Sequence, residues 1–129
     1  MSHRCDARDD TQDEKQSVVE ELRDASGAKL AVLLVTAGLL APVFEEILFR
    51  GLLLRSLRRR FTPELAIAIQ ALVFAAAHLV DPSLGTLAVV PALYALGVIS
   101  GIAAVRVGDL SVSIPLHVGF NLVTLLVLR

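Results

Sequence analysis

The chain has 129 residues, 55% of them hydrophobic and 19% charged, with a formal net charge of −1 at neutral pH. That length allows one domain, the lack of a basic surplus excludes a nucleic-acid footprint, and the single cysteine, Cys5, excludes a disulfide scaffold. Charge is unevenly spread: residues 1–27 carry 12 charged side chains and the following 102 residues only 13, which excludes disorder for the second part.

Residues 1–27 are polar and acidic, with no apolar signal core, and read as a flexible N-terminal segment; a short helix over 13–25 is the alternative. Residues 28–129 read as one all-α, multi-pass membrane core of about four transmembrane helices. Runs free of Asp, Glu, Lys and Arg cover 30–44, 65–80, 82–105 and 110–128. A bilayer core about 30 Å thick takes roughly 20 apolar helical residues, so the last two runs qualify outright. The run at 65–80 needs Thr62, Pro63 and Glu64 to reach that length, and the first run continues through Glu45, Glu46 and Arg50 to Leu54. A very apolar soluble bundle is the competing fold, but no segment after residue 28 shows the polar stripe such helices need.

Thr62-Pro63 predicts an N-cap and first-turn proline for the second helix, Asp81-Pro82-Ser83 a turn after it, and Gly108-Asp109 the break between the third and fourth. Gly97 and Gly101 form a G-x-x-x-G pair that permits close helix approach. Arg55, Arg58, Arg59 and Arg60 crowd one connection, Arg106 lies in another on the same side, and the connection at Asp81 has no basic residue. The positive-inside rule places 55–62 and 106–109 in the cytoplasm, with both termini outside.

Ionisable groups within apolar spans cost about 2.5–3.5 kcal/mol each at mid-bilayer on insertion scales, so their presence calls for a reason. Glu45, Glu46, Arg50, His78, His117 and Asn121 all fall inside the expected helices. At 1.5 Å per residue, Glu45 lies about 15 Å in from Arg55, His78 about 21 Å from Glu64, and His117 and Asn121 about 12 and 18 Å from Asp109. These depths bring four polar residues of three helices toward a common level, open to the arginine-rich side. Glu46 and Arg50, at i and i+4, can pair; Glu45, rotated by about 100°, is left for other work. His117 and Asn121, again four apart, can offer two hydrogen bonds to one oxygen. A carboxylate with a histidine suits water activation, and a histidine with an amide suits stabilisation of an oxyanion, so the set points to amide hydrolysis. No G-x-S-x-G or H-E-x-x-H is present, which disfavours serine and standard zincin proteases. By composition, Glu45, His78 and His117 also match a two-histidine, one-carboxylate zinc site. A metal-free site and a zinc site both stay open.

Ala41-Pro42-Val43-Phe44-Glu45-Glu46-Ile47-Leu48-Phe49-Arg50-Gly51 resembles the E-E-x-x-x-R motif of the CAAX-processing and bacteriocin-processing (CPBP, or Abi) intramembrane proteases. Phe74 to His78 resembles that family's F-x-x-x-H motif, and His117 to Asn121 its H-x-x-x-N motif, in the family's order. The resemblance implies an endopeptidase of a bacterial or archaeal cell membrane, acting on a peptide or protein substrate among lipids; the arginine-rich side toward which the polar level opens puts the site's mouth in the cytoplasm. It implies that Glu45 and His78 activate water, His117 and Asn121 form the oxyanion hole, and Glu46 and Arg50 support them. Family members usually carry further helices before the E-E-x-x-x-R helix, so the chain reads as a core-only member, a truncated product, or one whose wall a partner chain or a homo-oligomer completes. A non-proteolytic membrane factor, such as a bacteriocin-immunity or scaffold protein, and a small proton-relay transporter are the other classes these residues allow.

Overall fold

The computed structural model describes residues 27–79 and 84–127, and all regular structure among them is helical. Four helices follow in order: α1 (Gly27–Leu57), α2 (Pro63–Ala77), α3 (Leu84–Val107) and α4 (Ser113–Val127). The segment 1–26 and the turn expected at Asp81-Pro82-Ser83 lie outside the described residues.

Helix α1 is not uniformly α-helical. It widens into π-helical turns at Thr36–Leu40 and again at Ile47–Leu54. The first widening precedes Pro42, whose missing N–H and bulky ring disrupt the normal ladder. The consequence is a buried stripe with a spacing of four: Gly38, Pro42, Glu46, Arg50 and Leu54. In a uniform α-helix that spacing would drift by about 40° per step and leave the core within a few turns. Alternating tight and wide turns average close to four residues each, which keeps Glu46 and Arg50 inside.

Helix α2 opens as expected, with Thr62 in extended conformation at the N-cap, its hydroxyl accepting from the Leu65 amide at 3.4 Å. It ends at Ala77, three residues short of the expected 80, so His78 is its cap and not a member of the span. Helix α4 is likewise shorter than the uncharged run 110–128 implied. Gly108, at φ +86°, closes α3, and the Asp109 carboxylate accepts from the Ser111 amide at 2.8 Å. This local turn consumes residues 108–112 before α4 can begin. The Ser111 hydroxyl and amide hold the exposed Asp109 carboxyl below the usual carboxylate range.

Among the described residues two helices are therefore long and apolar enough to cross a bilayer, residues 27–57 and 87–107. Helices α2 and α4, with 15 residues each, reach about 22 Å and correct the expectation that 110–128 qualifies by itself. Large apolar side chains face outward, among them Phe44 at 71% exposure and Leu72 at 62%. Such a surface suits lipid. The tightest packing joins α2 to α3, where a Cβ at Gly97 would stand 2.9 Å from the Cα and Cβ of Ala71. Gln70, fully buried, donates to the Gly97 carbonyl at 2.7 Å across that seam. The apolar core of Leu54, Ala66, Ile67 and Ala104 lies toward the arginine-bearing connections.

Candidate active site

Glu45 and Glu46, adjacent in the chain, leave α1 in different directions. Glu46 is fully buried, with its Oε1 3.0 Å from Arg50 Nη1 one turn on and 2.9 Å from His117 Nδ1 of α4. An ionised carboxylate paired with arginine only accepts, so Nδ1 of His117 is the donor. That leaves Nε2 of His117 facing the other carboxylate, 3.5 Å from Glu45 Oε2.

His78 reaches the same oxygen from α2. Its backbone N–H donates to Ala75, which leaves the Phe74 carbonyl one turn back without its usual helical partner. The ring supplies the bond instead: Nδ1 lies 2.8 Å from the Phe74 carbonyl, which can only accept. The neutral ring is thereby held as the Nδ1–H tautomer, and the lone pair of Nε2 points at Glu45 Oε2 from 3.7 Å. The early end of α2 is what makes this geometry. Within a continued helix, His78's own amide would have filled the Phe74 carbonyl.

Glu45 Oε2 is thus the meeting point of two imidazole nitrogens at distances too long for direct hydrogen bonds and short enough for a water to touch both. Glu45 and His78 are half-buried, at 26% and 33% exposure, while Glu46, Arg50 and His117 are closed off. The group therefore has an accessible side and an enclosed, charge-balanced side.

Asn121 stands apart from this meeting point. Its Nδ2 donates to the Ala37 carbonyl of α1 at 3.0 Å. Next to it lies a cavity of about 350 Å³, walled by Ala37, His78, Val90, Leu93, Phe120 and Asn121. Its lining comes from the halves of α3 and α4 remote from Arg106 and Asp109, whereas the sequence placed the opening on the arginine-rich side.

The aromatic ring of Phe74 organises the site, a role the sequence reading left unassigned. It meets Phe49, His78 and His117 with centroids 5.1, 4.7 and 5.4 Å away, and the Arg50 guanidinium carbon lies 4.5 Å from its centre. One buried ring touches both histidines and the arginine, which restricts their rotamers and supplies a cation–π contact. The F-x-x-x-H spacing was the available signal. As for metal, no three His, Cys, Asp or Glu side chains among the described residues form a ready-made ligand group.

A family model described as type II CAAX prenyl endopeptidase Rce1-like matches residues 27–123. An uncharacterised 24.3 kDa protein of Escherichia coli is 38% identical over 96 residues, covering 73% of this chain and 43% of that protein. The chain spans less than half the length of that curated relative. No solved structure matches. With residues 27–123 under one family model, all three motif-bearing helices included, the chain belongs to the Rce1-like family of type II CAAX prenyl endopeptidases, which are intramembrane proteases.

Proposed function

We propose that this chain is an intramembrane endopeptidase in which Glu45 and His78 activate the attacking water. The observation that carries the reading is the convergence of His78 Nε2 and His117 Nε2 on one oxygen of Glu45, at 3.7 and 3.5 Å. A water between Glu45 and His78 donates one hydrogen to each acceptor and presents its own lone pair to a peptide carbonyl. As the C–O bond forms, Glu45 takes the proton, and it returns that proton to the departing amine nitrogen when the C–N bond breaks. Negative charge collects meanwhile on the former carbonyl oxygen. His117, when its Nε2 carries a proton while Nδ1–H is held by Glu46, and the remaining Asn121 N–H are its donors, a term worth about 3–4 kcal/mol per donor in other enzymes.

The substrate is a peptide or protein segment that seats an apolar side chain in the cavity beside His78 and Asn121, with no metal taking part. The arginine-bearing connections face the cytoplasm, by the excess of basic residues there. Cleavage of a peptide library by the purified protein in detergent tests the reading. Wild type is expected to cut and Glu45→Gln to fall by about 100-fold or more. Equal behaviour of the two, with the cell phenotype surviving the substitution, favours the non-proteolytic immunity or scaffold role instead.

A further inference from the structure

Four buried polar side chains stand on the arginine-bearing side of the carboxylates with hydrogen-bonding atoms that no protein group satisfies. They are Arg50 through Nε and Nη2, Gln70 through Oε1, and Ser100 and Ser113 through their hydroxyls. All four are at most 1% exposed, and each comes from a different helix. Polar atoms so enclosed nearly always have a partner, protein or ordered water.

The two serines are the informative pair. A hydroxyl in an apolar helix commonly satisfies itself on the carbonyl one turn back. Thr36 does so to Val32 at 2.7 Å and Thr124 to Phe120 at 2.8 Å. Ser100 and Ser113, more deeply buried than either threonine, make no such bond. Their hydroxyls are available to something else.

All four lie on the buried faces of their helices. Ser113 begins α4 one turn before His117, so both lie on its buried face. Gln70 lies one turn before Phe74 on α2 and donates to Gly97, while Ser100 adjoins Gly101, where a Cβ would stand 3.0 Å from Gln70 Nε2. Arg50 joins this group to the site, since the same side chain pairs with Glu46 and lies over Phe74. Arg50 also walls a small cavity of about 30 Å³ with Leu54, Arg58, Gly108 and Asp109, at the arginine-bearing end. That volume holds about one water. The larger cavity, by contrast, is apolar and lies at the other end of the helices.

We infer that Arg50, Gln70, Ser100 and Ser113 bind a file of internal waters that runs from the Arg58–Asp109 end of the bundle to Glu46 and Glu45. Water then reaches the carboxylates through the polar half of the bundle, and an apolar substrate segment reaches them through the other half. The second clause rests on the proposed hydrolysis; the file itself does not.

Hydroxyl-radical footprinting by X-ray pulses, on the protein held in nanodiscs, reads bound water directly. Phe74, at no exposure, is expected to label within several-fold of Phe61, which lies in the solvent-exposed connection, and faster than Phe44 on the apolar face. Ser100→Val with Ser113→Val should slow Phe74 labelling several-fold while leaving Phe61 unchanged. Ser113→Thr, which keeps the hydroxyl, should label Phe74 at the wild-type rate, and Thr36→Val should have no effect. If the double variant loses its helical signal, Ser113→Ala alone carries the comparison. Phe74 labelling no faster than Phe44, or equal in wild type and the serine variants, overturns the proposal. The same measurement on Glu45→Gln is independent of turnover, so failure of the water file and failure of the protease reading are separable.

Discussion

The Asn121 amide donates to the carbonyl of Ala37, 3.0 Å away and 84 residues earlier, because Pro42 has left that carbonyl without a donor. In the widened turn the Ala41 N–H bonds back to Thr36, and the next donor in line for Ala37 would be residue 42, a proline with no N–H. One amide from α4 thus repairs a defect in α1. The same contact sets the separation of the helices that carry Glu45 and His117, so fold and site share a single bond.

Removing that donor leaves a carbonyl unpaired in apolar surroundings, so Asn121→Ala is expected to cost about 1–3 kcal/mol. The dependence on Pro42 gives a sharper result. In Pro42→Ala the restored N–H can serve Ala37, and the second loss becomes cheaper by about 1 kcal/mol. Unfolding in mixed detergent across the double-mutant cycle measures this; additive costs would break the link between the two residues.

Some of this architecture was legible beforehand. Thr62-Pro63 and Gly108 are local signals, and they stand where caps and left-handed turns need them. The Glu46–Arg50 pair follows from spacing alone. The widened turns, the early end of α2 and the Asn121 repair depend on where each backbone donor goes, which no periodicity records. A run without charges likewise bounds a helix only from outside: Asp109 and Ser111 take up residues that hydropathy assigns to α4.

The two glutamates should separate by readout. Glu46→Gln strips the counter-charge from a buried arginine and the acceptor from His117, and is expected to destabilise by about 3–5 kcal/mol. Glu45, half-buried and with no partner on Oε2, should tolerate Gln within about 1 kcal/mol while losing hydrolysis. Melting curves and peptide cleavage on both variants check the pair. Similar melting temperatures would refute the division of labour.

Backbone contact at the α2–α3 seam makes Gly97 intolerant of any side chain. Gly97→Ala drives a methyl to 2.9 Å from the Ala71 backbone, so the helices must part, at about 1–3 kcal/mol. Gly119, also helical, has open space around its would-be Cβ. Gly119→Ala should be neutral or stabilising by up to about 1 kcal/mol. The opposite ranking by thermal unfolding would place the seam elsewhere.

Metal dependence is the cheapest chemical test of the proposed water activation. No ready-made group of three metal ligands stands among the described residues, and the proposed reaction uses Glu45, His78 and His117 for proton transfer and charge stabilisation. Protein purified without added metal is therefore expected to cut its peptide at the same rate before and after chelation. Elemental analysis should find less than stoichiometric zinc in that active sample. Loss of cleavage on chelation, with recovery on adding zinc back, would move the same three residues from proton transfer to coordination.

Selectivity should follow the walls of the larger cavity. Leu93 and Val90 of α3 oppose Phe120 of α4 across about 350 Å³ of apolar space. Val90→Phe fills part of that space and leaves alone Glu45 and His117, which do not line it. Substrates with a bulky apolar residue at the seat should lose about 10–200-fold in kcat/KM, chiefly through KM, while those with alanine there change little. Should both classes lose kcat alike, the cavity is not where the chain is held, and the side chain next to the scissile bond must lie on the face of Glu45 that looks away from α3.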